Sequence, residues 1–397
     1  MKTKFQQLGM AVLVIAIGSA ACKKSTIDDI KSGGKVFSPS LFKENIIKEL
    51  GTRNIGYTFM INHNGKWADS AARGFARMKQ DGAALHSVKK EMNIASVSKW
   101  LTAVGAMKLL SLNNIKPEDP IYPWLPQSWT LGNKVKSITF RELLTHSAGL
   151  TTKDIRYGTD YNSLKACIAA GVVNEAKTPN YSNANFALFR IMFSFIDNKK
   201  ETAEIENLNL WFFKDTATFS NYLADRYISL MQQHVFTPAG VANATCTPES
   251  RSVQTLMYNE TTPGTPGIVL GDWKLVCGGG GYSLSAHDVA KVMAYVYHTE
   301  NILSKAQQKE MLDNLYGLDA SHSVATNRGQ SYGKDGALFN DVNGSEAVDV
   351  PDPGLQTLAV KYPGDVELVF FTNALNDGFT YYTAIMKKAY EEAWIKE

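Results

Sequence analysis

Strand-forming runs lie at the two ends of this 397-residue chain, and helix-forming runs lie between them. Residues 55–62 (IGYTFMIN) and 66–77 at one end, and 355–362 (LQTLAVKY) and 366–373 (VELVFFTN) at the other, read as strands. His63-Asn64-Gly65 is a turn between the first two. A short isolated hairpin is marginal in water, so the two pairs call for one another. This order predicts an α/β (α+β) architecture: one sheet built from both termini, with a mostly helical region inserted. Residues 41–115 and 325–397 would carry the sheet, and 116–324, with most of the prolines, the helical part. Helical spacing is clearest at 41–50 (Ser40 as N-cap, Gly51 as stop), 217–234, 286–299 and 379–395. There is no internal repeat.

The remaining helix, residues 96–112, is apolar nearly all round and must be buried. Lys99 is its one charge between Glu91 and Lys108. A buried lysine without a partner is costly, so it needs a reason. Three residues before it stands Ser96, on the same face of the helix and at its start, where unpaired backbone N–H groups and the positive end of the dipole lie. That setting suits a nucleophile whose reaction builds an oxyanion, with the amine one turn on as proton acceptor. Ser-x-x-Lys alone is cheap: it also starts at Ser32, Ser40, Ser87 and Ser331. Only Ser96 follows a short extended piece (Asn93-Ile94-Ala95) and opens a buried helix.

Three further local signals are weak singly. Tyr181-Ser182-Asn183 offers a phenol and an amide, but also reads as a loop or cap before a helix at 184–196. Lys334-Asp335-Gly336 offers a cation beside a close backbone approach, but also reads as a turn with a solvated lysine. Leu143 to Leu150 (LLTHSAGL) reads as a helix ending at a glycine, with His146 more often structural than catalytic.

Composition excludes other classes. At 44% hydrophobic and a net charge of +3, the chain is neither disordered nor a dedicated nucleic-acid binder. No Gly-x-Ser-x-Gly of an α/β-hydrolase is present, since Gly281-Tyr282-Ser283-Leu284-Ser285 ends in serine. The run Gly278–Gly281 lacks the Gly-Lys-Ser/Thr ending of a phosphate loop and reads as backbone crowded against a site or strand. There is no paired-cysteine metal spacing and no His-Glu-x-x-His.

Lys2 and Lys4, the apolar run Leu8–Ala20 and the small residues before Cys22 read as a secretory signal over residues 1–21. Ser19-Ala20-Ala21-Cys22 resembles a lipoprotein signal, in which Cys22 is lipidated. Ser19 replaces the usual aliphatic residue, so plain cleavage to a soluble exported protein is the alternative. Residues 22–40 would be a flexible tether. The expected location is the periplasm, either free or anchored to the outer membrane through the lipid. In an oxidising compartment Cys246 and Cys277 could pair or remain buried thiols.

Taken in order, Ser-x-x-Lys, Leu-Leu-Thr-His-x-x-Gly-Leu, Tyr-x-Asn and a Lys-x-Gly element resemble the serine β-lactamase-like family, with its class C β-lactamases, D-alanyl-D-alanine carboxypeptidases and esterases. Pro126, Val135–Arg141, Gly278–Asp288 and Tyr332–Gly336 followed by Val366–Asn373 resemble family stretches too, and the resemblance spans about residues 45–395. It implies a β-lactamase/transpeptidase-like fold, a mainly antiparallel sheet flanked by helices with an inserted helical domain and the site between them. Ser96 would be the acylated nucleophile. Lys99 and Tyr181 would share the general-base work. Asn183 would orient Lys99 and the substrate amide. Lys334 would supply positive charge and attract a substrate carboxylate. The N–H groups of Ser96 and Ala337, beside Gly336, would form the oxyanion hole. No metal or organic cofactor is implied. The partner would be a small-molecule or peptide substrate. Nucleic acid is not expected, contact with a membrane would be only through the N-terminal lipid, and the oligomeric state stays open.

One residue departs from the pattern. Asp335 stands where penicillin-recognising members prefer Thr or Ser, so a substrate carboxylate would be repelled. That favours an ester or amide lacking it over a β-lactam or a D-Ala-D-Ala peptide. It also leaves a competing reading, a catalytically silent binding or sensor domain on the same scaffold.

Overall fold

The computed structural model describes residues 34–51, 55–150, 158–248, 254–339, 353–375 and 382–396. The signal over 1–21 and the lipidation residue Cys22 lie outside the described residues.

The two ends of the chain meet in one sheet. Its long strands are β1 (Tyr57–His63), β2 (Lys66–Arg73), β3 (Tyr332–Phe339), β4 (Gly354–Tyr362) and β5 (Val366–Thr372), all paired antiparallel in the order β2-β1-β5-β4-β3. The central pairing sets Phe59 opposite Phe370 and Ile61 opposite Leu368. Two-residue strands at Tyr258–Asn259 and Ala374–Leu375 extend the sheet beside β4. Asn64 and Gly65 both take positive φ, the conformation that a tight two-residue hairpin turn demands.

Alternation along β1 and β5 sends side chains to two cores. Tyr57, Phe59, Ile61, Leu368 and Phe370 pack on α1 (Pro39–Leu50) and on the C-terminal helix Thr383–Glu391. Met60, Val369 and Phe371 face the larger core, which contains α2 (Val97–Leu112), α3 (Asn183–Asp197), α4 (Thr216–Met231) and α5 (Ala286–His298). With both faces covered, the strands carry the near-continuous apolar runs seen in the sequence. Helix α2 is buried from Val97 to Met107 along its whole circumference, as its composition requires.

Two boundaries differ from expectation. The tether does not extend to residue 40, because Lys35–Phe37 pairs with Trp394–Lys396 and Phe37 is buried among Phe42, Tyr390 and Trp394. The N-cap of α1 is accordingly Ser38, whose hydroxyl accepts from Leu41 N, with Pro39 in the first turn where its missing N–H costs nothing. The C-terminal helix likewise stops at Glu391 rather than 395, since Trp394 is taken up by that pairing. The three described cysteines, Cys167, Cys246 and Cys277, are buried thiols that form no disulfide with one another.

Candidate active site

Ser96 sits at an elbow between a two-residue strand, Met92–Asn93, and α2. Ala95 just before it holds φ +46°, a conformation unfavourable for a residue with a side chain. The Asn93 side chain fixes it by accepting from Ala95 N at 2.8 Å. Such strain persists only where the surroundings over-determine it, and it clusters at functional positions. Here it turns the Ser96 hydroxyl out of the core while Val97 and Lys99 stay in.

Lys99 is fully buried. Its Nζ touches three oxygens: Asn183 Oδ1 at 2.8 Å, Ser96 Oγ at 2.9 Å and the carbonyl of Gly279. Burial lowers its pKa well below the ordinary lysine value, and the nearby charge of Lys334 lowers it further. A neutral amine has two N–H groups and one lone pair. Asn183 and Gly279 can only accept, so they take both N–H groups. The lone pair is left for the Ser96 O–H.

Tyr181 Oη donates to Ser96 Oγ at 2.7 Å. The ring is half exposed, but its hydroxyl end points into the site. Burial of that end raises its pKa, although the charge of Lys334 and the bond to Ser96 act the other way. The phenol therefore keeps its proton. Of the two groups expected to share the base work, the amine has the free lone pair and the phenol the proton to give.

Asn183 is the first residue of α3, and Tyr181 precedes Ser182 at its N-cap. His146 holds this segment: its carbonyl accepts from Asn180 N at 2.8 Å, its Nδ1 from Ser182 N at 3.3 Å, and its ring lies 4.5 Å from the Tyr181 ring. Burial, with Lys99 and Lys334 nearby, depresses its pKa to about 3. It thus stays neutral and positions Tyr181, in keeping with its structural reading. The glycine run is indeed backbone pressed on the site. Gly279 offers its carbonyl to Lys99 and Gly278 its carbonyl to Thr102 Oγ1, and a Cβ at Gly279 would stand 3.0 Å from the Asn183 carbonyl oxygen.

Strand β3 supplies the opposite wall. A Cβ at Gly336 would lie 2.6 Å from Thr357 Oγ1 and 2.7 Å from both the Ile94 carbonyl oxygen and Ser96 N. Only glycine lets the strand reach the start of α2, which sets the N–H of Ser96 beside the backbone leading to Ala337. We expect Gly336→Ala to force the two elements apart. That should cost about 1–3 kcal/mol of stability from overpacking and, through a shift of order 1 Å in the donors, about 10²-fold in kcat. Chemical denaturation and steady-state kinetics on one preparation measure both, and unchanged kcat would show that the close approach is not used.

Lys334 is buried and does not point to open space. Its Nζ donates to Asp319 Oδ2 and lies 3.5 Å from Asp335 Oδ1, with the Tyr181 ring centroid 5.4 Å away. Burial works against its charge, but Tyr181 and the two carboxylates more than offset this, so it remains an ammonium. Asp335 in turn lies 3.2 Å from His322 Nε2. Asp319 and His322 carried no signal in the sequence: both sit in the irregular segment between Leu318 and Val324, without periodicity or motif. Asp319, His322 and Asp335 could together hold a metal, but the Lys334 ammonium already bonds to the two carboxylates between which a cation would sit.

The structure thus brings Ser96, Lys99, Tyr181, Asn183, Lys334 and Gly336 together, and Ala337 joins Ser96, Tyr181 and Asn183 in the lining of one cavity of about 610 Å³. The arrangement can activate a hydroxyl, hold an oxyanion and protonate a leaving group.

Residues 44–194 match the family model described as Beta-lactamase. No curated protein matches the chain. Among solved structures, FmtA from Staphylococcus aureus superposes with a TM-score of 0.64 at 15% identity, over 90% of this chain and 88% of that one. D-amino acid amidase from Ochrobactrum anthropi SV3 gives 0.60 at 15% identity, over 89% and 97%. EstCE1, a hydrolase with promiscuous acyltransferase activity, gives 0.60 at 14% identity, over 92% and 100%. At these identities the likeness is one of fold: a β-lactamase/transpeptidase-like sheet with helices on both faces.

Proposed function

We propose, from the premise that this chain belongs to the serine β-lactamase and penicillin-binding-protein-like family, that it is a serine hydrolase forming an acyl-enzyme at Ser96 on an ester or amide. The observation that carries this is the position of the buried Lys99 Nζ, 2.9 Å from Ser96 Oγ, with Asn183 Oδ1 and the Gly279 carbonyl as its other partners; in the neutral amine these two accept its N–H groups and the lone pair is left for the Ser96 hydroxyl.

The steps follow from the contacts. Ser96 Oγ bonds to the acyl carbon as its proton passes to Lys99 Nζ. The carbonyl oxygen becomes an oxyanion between the N–H groups of Ser96 and Ala337. The bond to the leaving group breaks as Tyr181 Oη gives that group its proton, and the phenol regains one from the Lys99 ammonium. Water then attacks the acyl carbon, one of its protons goes to the same amine–phenol pair, and Ser96 leaves with a proton restored. The proton that Ser96 loses in acylation departs with the leaving group, and one from water replaces it in hydrolysis.

The test is incubation with a fluorophosphonate followed by intact-mass and peptide analysis. A single adduct on Ser96 is expected. Ligand binding with no adduct on any serine would instead indicate a silent binding domain.

The proposal includes export with lipidation of Cys22, which rests on the N-terminal sequence alone. Cys22→Ser should release the protein from the membrane fraction and abolish incorporation of labelled palmitate in cells. Equal labelling of the variant would refute it.

A further inference from the structure

Lys99 presents its lone pair to Ser96 only while Asn183 and the Gly279 carbonyl hold its two N–H groups. That carbonyl is hard to keep in place. The segment Cys277–Gly280 is buried and belongs to no strand, so its carbonyls have to be met by other groups. Gly278 and Gly279 lie too close to α3 for a side chain: a Cβ would stand 2.9 Å from the Phe186 carbonyl oxygen at the first and 3.0 Å from that of Asn183 at the second. Two glycines in succession leave the backbone free to turn, since glycine takes conformations closed to other residues. The close packing on α3 thus creates a looseness that the amine cannot tolerate.

Side chains from both neighbouring helices remove it. Three successive carbonyls are each gripped by a buried polar group. Arg190 of α3 donates from Nη1 to the Cys277 carbonyl at 2.7 Å, Thr102 of α2 donates from Oγ1 to that of Gly278 at 2.7 Å, and Lys99 Nζ donates to that of Gly279. Thr102 has one proton and two carbonyls within reach. Gly278 is nearer, and the other, Ser98 at 3.0 Å, is also the acceptor of the helix's own ladder at that turn. Tyr227 Oη of α4 lies 2.8 Å from Thr102 Oγ1. With the threonine proton given to a carbonyl, the phenol is the donor in that pair, and burial keeps its proton on by raising its pKa well above 10.0. A hydroxyl that accepts one hydrogen bond donates the next more strongly. The chain Tyr227–Thr102–Gly278 fixes the plane of the peptide entering Gly279, and so limits where the Gly279 carbonyl points.

We propose that Thr102 is a positioning residue for the general base: through the Gly278 carbonyl, with Tyr227 behind it, it holds the Gly279 carbonyl against Lys99 and keeps the amine's lone pair on Ser96. This rests on the reading of Lys99 as the base of a serine hydrolase and deepens it. The sign of the effect follows from the charged form of the amine. A carbonyl binds an ammonium more tightly than a neutral amine, so the Gly279 carbonyl favours protonated Lys99, and releasing it lowers the Lys99 pKa. General loosening does the reverse, because water admitted around a buried amine relieves the desolvation that depresses its pKa. The other groups facing Lys99 are Lys334, Asp319, Asp335, the Tyr181 ring 4.7 Å from Nζ, and His146. The hydrogen bonds of Thr102 run to Ser98, Tyr227 and Gly278, so its substitution leaves those groups in place.

The experiment compares the full chain with Thr102→Val, which keeps the shape without the hydroxyl, Thr102→Ser, which keeps the hydroxyl, and Tyr227→Phe. Each is labelled with a fluorophosphonate, and Ser96 modification is followed by mass across a pH series to give the maximal labelling rate and the half-saturating concentration. In Thr102→Val the maximal rate should fall about tenfold while the half-saturating concentration stays within about twofold. Its acidic limb should move to lower pH. Thr102→Ser should recover most of the rate and the wild-type limb, and Tyr227→Phe should shift the limb in the same direction by less. The rates describe only molecules that react, so losses of folded protein cancel. An unchanged rate in Thr102→Val, equal losses in the valine and serine variants, or an acidic limb that stays put or moves to higher pH would overturn the proposal. Absence of labelling at Ser96 in the wild type is a different result: it would overturn the hydrolase reading, and this proposal with it.

Discussion

Ser96→Ala is expected to lower kcat on any ester or amide substrate by about 10⁴-fold or more, while substrate binding changes little. The loss, about 5.5 kcal/mol at 1.36 kcal/mol per decade, is large because the hydroxyl is the one atom the arrangement cannot replace. Without it, the amine and the phenol still face the substrate and the N–H groups still face its carbonyl, but no covalent intermediate can form. The variant should also fold normally. Ser96 does not bond to the backbone as a cap of α2, and among the described residues its hydroxyl bonds only to Lys99 and Tyr181, so alanine leaves no broken structural hydrogen bond beyond the site there. Steady-state kinetics with a p-nitrophenyl ester, beside a thermal melt, measures both. Turnover within tenfold of wild type in a folded variant would remove Ser96 from the chemistry.

Much of this architecture could be read from residue order. The sheet of two termini follows from apolar runs that only make sense when both faces are covered, and α2 follows from being apolar all round. Ser96 and Lys99 were legible as a pair because an i, i+3 relation is local and because a lone lysine on a buried helix demands an explanation. Tyr181, Asn183 and Lys334 were not legible alone, since contacts across 84 to 153 positions leave no trace in spacing; they emerged only as an ordered set.

The rest was hidden for definite reasons. Asp319 and His322 come from a segment with no period to read. The Gly279 contact is made by a carbonyl, which every residue has. The left-handed turn at Ala95 breaks the rule that glycine marks such places, and it is imposed by Asn93 from two residues away. Asp335 was visible as a departure from the family pattern, but its partners His322 and Lys334 were not.

The same charges set the expected pH dependence, and here removal of Lys99 has the second largest effect. Lys99→Ala should reduce kcat/KM by about 10²–10⁴-fold, the usual worth of a positioned general base. In wild type the amine works only when neutral. Its pKa is depressed first by burial and then by the Lys334 charge. Activity should therefore be lost as pH falls through that lowered pKa and regained above it, with the inflection well below 10.5. Removing the neighbouring cation tests the sign. In Lys334→Ala the repulsion that disfavours a second ammonium is gone, and Asp319 and Asp335 remain to favour it, so the Lys99 pKa must rise and the acidic limb of the profile must move to higher pH. Tyr181 as the base predicts a movement in the same direction but from a different starting point: its pKa is also pulled down by Lys334, but burial holds it above 10.0, so a phenolate mechanism would show its inflection above that value in wild type. A pH profile of kcat/KM for wild type, Lys99→Ala and Lys334→Ala separates the two, and an acidic limb that persists unshifted in both variants would assign the base to neither residue.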